Sequence, residues 1–120
     1  AVTGFETNSG NRYTKLYNND GQGNFNEVVT SFAGVSHSSF EWGDMDNDGD
    51  LDVLLTGAYE TGSGWVRISK IYENQDSAFV DTQANLPVVF WGDSRWGDYD
   101  ADGDLDILFT GYQPDGNIYS

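Results

Sequence analysis

The feature that most constrains this chain is an internal repeat. Trp42–Gly57 reads WGDMDNDGDLDVLLTG and Trp96–Gly111 reads WGDYDADGDLDILFTG, identical at 12 of 16 positions with a constant offset of 54. The similarity runs outward, since Phe25 matches Phe79, Phe32 matches Leu86 and Val35 matches Val89 at the same offset. Leu16–Asn19 aligns with Ile71–Asn74 at an offset of 55, so one turn differs by a residue. Thr3-Gly4 recurs as Thr56-Gly57 and Thr110-Gly111, and roughly the first 14 residues correspond to the last 13. A period of this length marks a supersecondary unit that buries its apolar faces by stacking on its own copies.

Each unit reads as four short strands. The first runs into an acidic loop (Ser38–Gly43; Asp93–Gly97) and the second leaves it (Leu51–Thr56; Leu105–Thr110). The third is Trp65–Tyr72, matched by Asn11–Tyr17, and the fourth is Phe25–Val29 or Phe79–Thr82. Turn residues stand at Asn8–Gly10, Asn18–Asn24, Thr61–Gly64, Glu73–Ser77 and Asp115-Gly116. Val53-Leu54-Leu55 and Ile107-Leu108-Phe109 are continuous rather than alternating, so both faces of these strands are expected to be buried. No segment of helical length shows a 3.6-residue period with caps, and the fold class is all-β. Stacked four-stranded antiparallel sheets, about two per chain, predict the blades of a β-propeller. A two-sheet sandwich is the alternative, but it would leave large apolar faces in water. The expected division is 1–35 for the end of one blade (its strands 2–4), 36–87 for a complete blade, and 88–120 for the start of the next.

The acidic loops carry the chemistry. In Asp44-x-Asp46-x-Asp48-Gly49-Asp50-x-Asp52, and again in Asp98-x-Asp100-x-Asp102-Gly103-Asp104-x-Asp106, carboxylates fall at loop positions 1, 3, 5 and 9. A hard Ca²⁺ takes six to eight oxygens at about 2.3–2.6 Å, and a tight loop delivers side chains from alternate residues. Gly49 and Gly103 permit the sharp turn at position 6. Asp50 and Asp104 at position 7 are expected to give backbone carbonyls, with Asp52 and Asp106 closing each site. The expectation is two calcium ions per chain, structural rather than signalling. An EF-hand needs an acid at position 12, where this chain has Leu55 and Phe109. Mg²⁺ rarely takes an all-protein carboxylate cage. Zinc and copper call for His or Cys, and the chain has one His and no Cys. The competing reading, acidic solvated turns, is weakened by two loops in the same register of one repeat.

Charge narrows the partners. The chain has 20 acidic and 5 basic residues, a net charge of −15, and half of its acid lies in these two loops. Such crowding opposes folding unless a cation offsets it. Nucleic acid and anionic membrane surfaces are poor partners for it. No apolar run approaches the length of a membrane-spanning helix, so membrane insertion is not expected. Without cysteine the redox compartment cannot be read. The opening Ala1-Val2-Thr3-Gly4 falls in the middle of a repeat and reads as a cut or processed piece.

Together the loops, the Trp-Gly before each and the Leu-Asp-x-Leu-x-Thr-Gly-like strands after them resemble the FG-GAP/VCBS repeats of integrin-α-like β-propellers. Tyr17–Phe25 is similar to the family's second hairpin. The resemblance spans essentially the whole chain. It implies a propeller of seven or so blades in secreted or cell-surface proteins, with calcium between a blade's first two strands. It also implies a role in adhesion, as a lectin, or as an accessory domain. The chain departs from the pattern at Glu73–Phe79, which lacks the glycines of its counterpart, and at Trp91-Gly92-Asp93, an extra Trp-Gly-Asp five residues early.

Two repeats cannot close a ring, so the chain is either an excised fragment or one of several copies. Assembly is favoured, because a lone unit exposes apolar faces and strand edges. Two blades per chain predict a trimer of six blades or a tetramer of eight, with overlapping ends that allow strand exchange. The leading function is a non-catalytic extracellular scaffolding or adhesion module. The alternative is a lectin, with His37 and Trp91 as ligand contacts and Trp65, Tyr59 and Tyr112 nearby, binding carbohydrate or a surface protein. An enzyme is not expected and no catalytic residue is assigned. Glu41 and Asp93 form a conceivable carboxylate pair, but Glu41 aligns with Arg95 and Asp93 with Ser39, which points to ion pairing.

Overall fold

A computed structural model describes residues 1–6, 10–76, 78–112 and 118–119. Ten strands follow in order: β1 (Val2–Phe5), β2 (Arg12–Asn19), β3 (Phe25–Val28), β4 (Ser36–Gly43), β5 (Asp52–Thr61), β6 (Gly64–Gln75), β7 (Ala78–Asp81), β8 (Phe90–Gly97), β9 (Asp106–Tyr112) and β10 (Ile118–Tyr119). They form three antiparallel sheets, β1-β2-β3, β4-β5-β6-β7 and β8-β9-β10. The fold is all-β, and its sheets have the up-and-down order of propeller blades.

Strand ends differ in detail from the sequence expectation. β4 and β8 start earlier, at Ser36 and Phe90, because each carries a bulge. Ser36 pairs with Ala58 and Ser39 with Thr56, so His37 and Ser38 together face Gly57. The same offset sets Trp91 and Gly92 against Gly111. His37 and Trp91 take left-handed backbone angles, φ +51° and +52°. Nothing in a His or a Trp announces a left-handed residue, so the bulge is invisible in the sequence. Glu73–Gln75 of the expected Glu73–Ser77 turn belong to β6, whose Gln75 pairs with Ala78, and Ser77 lies outside the described residues. Asn8 and Ser9 of one expected turn, and Asp115-Gly116 of another, lie outside the described residues.

Packing follows from β5, whose Val53, Leu54 and Leu55 are fully buried on both faces. Val53 and Leu55 join Ile68, Tyr72 and Phe79 against Phe32 and Val35 from the connection between β3 and β4. Phe32 sits edge-on to Tyr72, with ring centroids 5.0 Å apart, and tilts against Phe79 at 4.8 Å. The Ala33 N–H donates to the Tyr72 hydroxyl (3.0 Å), and Thr14 donates to the Ala33 carbonyl (2.8 Å), which ties the first sheet to the second. On the other side β4 lies against β8. Ser39 Oγ donates to Asp93 (2.8 Å) and accepts from the Ser94 N–H (3.2 Å). A Cβ on Gly43 would stand 2.6 Å from the Trp96 ring, so this close approach requires glycine.

The two outer sheets expose what the central one buries. Burial was expected on both faces of Ile107-Leu108-Phe109, but β9 alternates, and Leu108 is 62% exposed where its counterpart Leu54 is 0%. The reason is topological: no sheet covers the far side of β9 as β8 covers β5. At the other end Phe25 is 65% and Tyr17 37% exposed, against 9% for Phe79 and 2% for Tyr72. Removing the Leu54 side chain opens a cavity, so Leu54→Ala should cost about 2–5 kcal/mol. In the monomeric chain Leu108→Ala should stay within about 0.5 kcal/mol. Denaturant melts of the two variants at low protein concentration test this contrast.

Candidate functional site

Residues 44–52 join β4 to β5, and residues 98–106 join β8 to β9, so the two loops hold equivalent places on neighbouring sheets. Each closes around its own first carboxylate. Asp44 accepts from the backbone N–H of Asp48 (3.0 Å) and Gly49 (3.1 Å), and Asp98 accepts from Asp102 and Gly103, both at 3.1 Å. The ninth residue reaches back in the same way. Asp52 accepts from the Met45 N–H and Asp106 from the Tyr99 N–H, both at 2.9 Å. Gly49 and Gly103 take φ +95° and +99°, the left-handed turn expected at position 6. Position 4 is left-handed too, at φ +61° in both Asn47 and Ala101. Asn tolerates this conformation, whereas Ala does so at a cost of about 1–2 kcal/mol.

The carboxylates converge. Oxygens of Asp44, Asp46 and Asp48 lie within 4.8 Å of one another, as do those of Asp98, Asp100 and Asp106. That is the separation of oxygens sharing one cation at about 2.3–2.6 Å. Asp52 is outside the first trio. It is fully buried, and its second oxygen accepts from the Asn74 N–H (2.8 Å), anchoring the loop to β6. Asp102 is outside the second trio and accepts from the Asp104 N–H (2.9 Å), as Asp48 does from Asp50 (2.8 Å). Asp50 and Asp104 are exposed, and Asp104 accepts a long contact from the Asn47 amide (3.4 Å) that bridges the two loops. Partial loss of water and the adjacent Asp48 charge push the Asp46 carboxyl above its ordinary range.

A second feature lies at the opposite ends of β4 and β8. His37, Trp65, Arg67 and Trp91 line a cavity of about 290 Å³. The His37 ring sits edge-on to Trp65 (5.9 Å) and to Trp91 (5.5 Å), and Tyr112 stands beside Trp91 at 6.4 Å. Arg12 stacks over Trp65 at 4.7 Å and pairs with Glu60 at 3.4 Å. Tyr59 packs against the core cluster instead. The sequence reading missed both arginines, although Arg12 and Arg67 repeat at the offset of 55 that already aligned the third strands.

Glu41 and Asp93 meet on one cation. Arg95 pairs with Glu41 across the two sheets and with Asp93 at 2.9 Å along its own strand. Asp93 also accepts from Ser39. These groups clamp β4 to β8.

Residues 2–55 match the family described as FG-GAP-like repeat, a span of 54 residues equal to the internal period. No curated protein and no solved structure gives a significant match to the chain.

Because Asp52 is buried and satisfies two backbone N–H groups, Asp52→Ala should destabilise the chain by about 2–4 kcal/mol even without metal. Asp50→Ala, at an exposed side chain, should change stability by less than about 0.5 kcal/mol. Paired denaturant melts in chelator check both values.

Proposed function

We propose that this chain, which carries an FG-GAP-like repeat, is a calcium-stabilised, non-catalytic β-propeller module that works outside the cell in scaffolding or adhesion and assembles with further copies of itself. The observation that carries the reading is the convergence of carboxylate oxygens in both loops, at the same place on two stacked sheets. Asp44, Asp46, Asp48 and Asp52 would hold one ion, and Asp98, Asp100, Asp102 and Asp106 the other, with backbone carbonyls from Asp50 and Asp104. The donors are all oxygen, which suits a hard cation and disfavours zinc or copper. Bound calcium would supply the charge that the crowded carboxylates need. Millimolar extracellular calcium keeps even weak sites of this type filled.

Two further observations favour a non-catalytic role. Glu41 and Asp93 are both tied to Arg95, so neither is free to act as an acid or base. The single histidine, His37, is exposed and has the edges of Trp65 and Trp91 as its ring neighbours rather than a carboxylate that would orient it as a base. Calcium at a hundred times its Kd adds about 2.7 kcal/mol per site, or about 5.4 kcal/mol for the two, which predicts a rise in Tm on the order of 20 °C over the chelated protein. Asp44→Asn with Asp98→Asn should abolish most of that rise. Equal melting in calcium and in excess chelator would refute the calcium reading.

The cavity of His37, Trp65, Arg67 and Trp91 supports a second reading, carbohydrate binding. An aromatic, almost wholly apolar lining suits the apolar face of a sugar ring. Titration with simple sugars should quench tryptophan fluorescence, and Trp91→Ala should weaken binding at least about tenfold, a loss of roughly 1.4 kcal/mol. Trp91 is largely exposed, so its loss should leave Tm nearly unchanged.

A further inference from the structure

We infer that the aromatic cavity is one of two adjoining subsites for a single neutral oligosaccharide, the second being a polar cavity on the other face of the central sheet. The inference rests on the carbohydrate reading above and specifies the length and chemistry of the sugar chain.

Side chains alternate across a strand, and β6 uses both of its faces at this end. Trp65 and Arg67 line the cavity that Trp91 closes. Ile68 and Lys70, on the opposite face, line another of about 410 Å³ together with Asn11, Arg12, Tyr59 and Glu60. This second cavity opens between the first sheet and the central one, as the aromatic cavity opens between the central sheet and the third.

Arg12 joins the two. It lines the polar cavity and sets its guanidinium 4.7 Å above the ring of Trp65, which lines the aromatic one. Glu60 stands opposite Trp65 in the β5–β6 register and pairs with the same guanidinium at 3.4 Å. Arg12 Nε also donates to the Ser36 hydroxyl (3.2 Å), and only 11% of the arginine side chain is exposed. The stacked pair is therefore a fixed partition. A ligand that crosses it passes from one cavity into the other.

The two linings differ, and the difference selects the ligand. The aromatic cavity offers rings and almost no polar surface, which suits the apolar face of a pyranose. The polar cavity offers donors and acceptors around Ile68 and the Tyr59 ring, both of which pack in the core cluster. Its two cations each have an acid of their own, Glu60 for Arg12 and Asp81 for Lys70. A phosphate or carboxylate would meet those acids, and a cationic ligand would meet the arginine and the lysine. Hydroxyl groups both donate and accept, so they satisfy either sign of charge. Neutral hydroxylated rings with an apolar face meet both sets of demands, and two such linings across one partition call for linked units. Joining the contacts in one ligand makes the second intramolecular, so affinity rises with chain length.

Titration calorimetry with neutral mono- to tetrasaccharides, the series chosen by a glycan array, tests this. Affinity should rise at least about tenfold from the monosaccharide to the longer members of the same series. Glu60→Gln and Asn11→Ala, both at exposed positions, should each remove most of that gain. Trp91→Ala should weaken every member of the series. An array that shows no bound sugar overturns the carbohydrate reading and this inference together. Equal affinity for the monosaccharide and its oligomers overturns the two-subsite inference alone, as does a length dependence that both polar-cavity variants leave intact.

Discussion

Everything in this structure depends on a sheet that is apolar on both faces and so must be covered twice. β5 meets the requirement: Val53 and Leu55 face the Phe32 cluster, and Leu54 lies on the side of β8. Complete burial of a leucine is worth about 1.5–3 kcal/mol, so a strand of this kind gains most of its stability from neighbouring sheets rather than its own pairing. The connections obey the same demand. The segment from β3 to β4 crosses β2 so closely that a Cβ on Gly34 would stand 2.2 Å from the Arg12 carbonyl oxygen. That proximity lets Phe32 fill the space between two sheets.

The repeat told the sequence reader most of the architecture, because a 54-residue period with a continuous apolar strand leaves few all-β solutions. The acidic loops were legible for a local reason: a tight turn that presents alternate side chains needs a fixed spacing and a glycine. Other features were hidden. The bulge at His37 and Trp91 comes from tertiary register, and no turn residue marks it. Ala101 in a left-handed conformation follows its counterpart Asn47, not its own preference. The unequal burial of Leu54 and Leu108 was illegible too, since identical residues at equivalent positions differ only in what lies beyond them.

Carboxylates here often act as acceptors for backbone N–H groups, and that explains how so acidic a chain forms tight loops. Asp20 is the simplest case. It accepts from the Asn24 amide (2.7 Å) and from the N–H groups of Gln22 and Asn24, and these bonds hold its carboxyl below the usual range. Its turn is satisfied by a single acid. The loops at 44–52 and 98–106 use the same device but carry five carboxylates each. Four of the five in the first loop (Asp44, Asp46, Asp48 and Asp52) and three in the second (Asp98, Asp102 and Asp106) accept backbone N–H groups of the turn. The convergence of three carboxylates on one point is what separates these loops from an ordinary turn.

The parallel alignment of β4 and β8 has one more consequence. His37 meets Trp91 at one end, Ser39 and Glu41 meet Asp93 and Arg95 in the middle, and Asn47 meets Asp104 at the other. Like therefore lies beside like on successive sheets, and any disc built by continuing this stack is two-sided. One side gathers a ring of negative charge, and the other gathers aromatic rings and arginines. Such a disc has a heads and a tails, and a surface that recognises either will hold it in a single orientation.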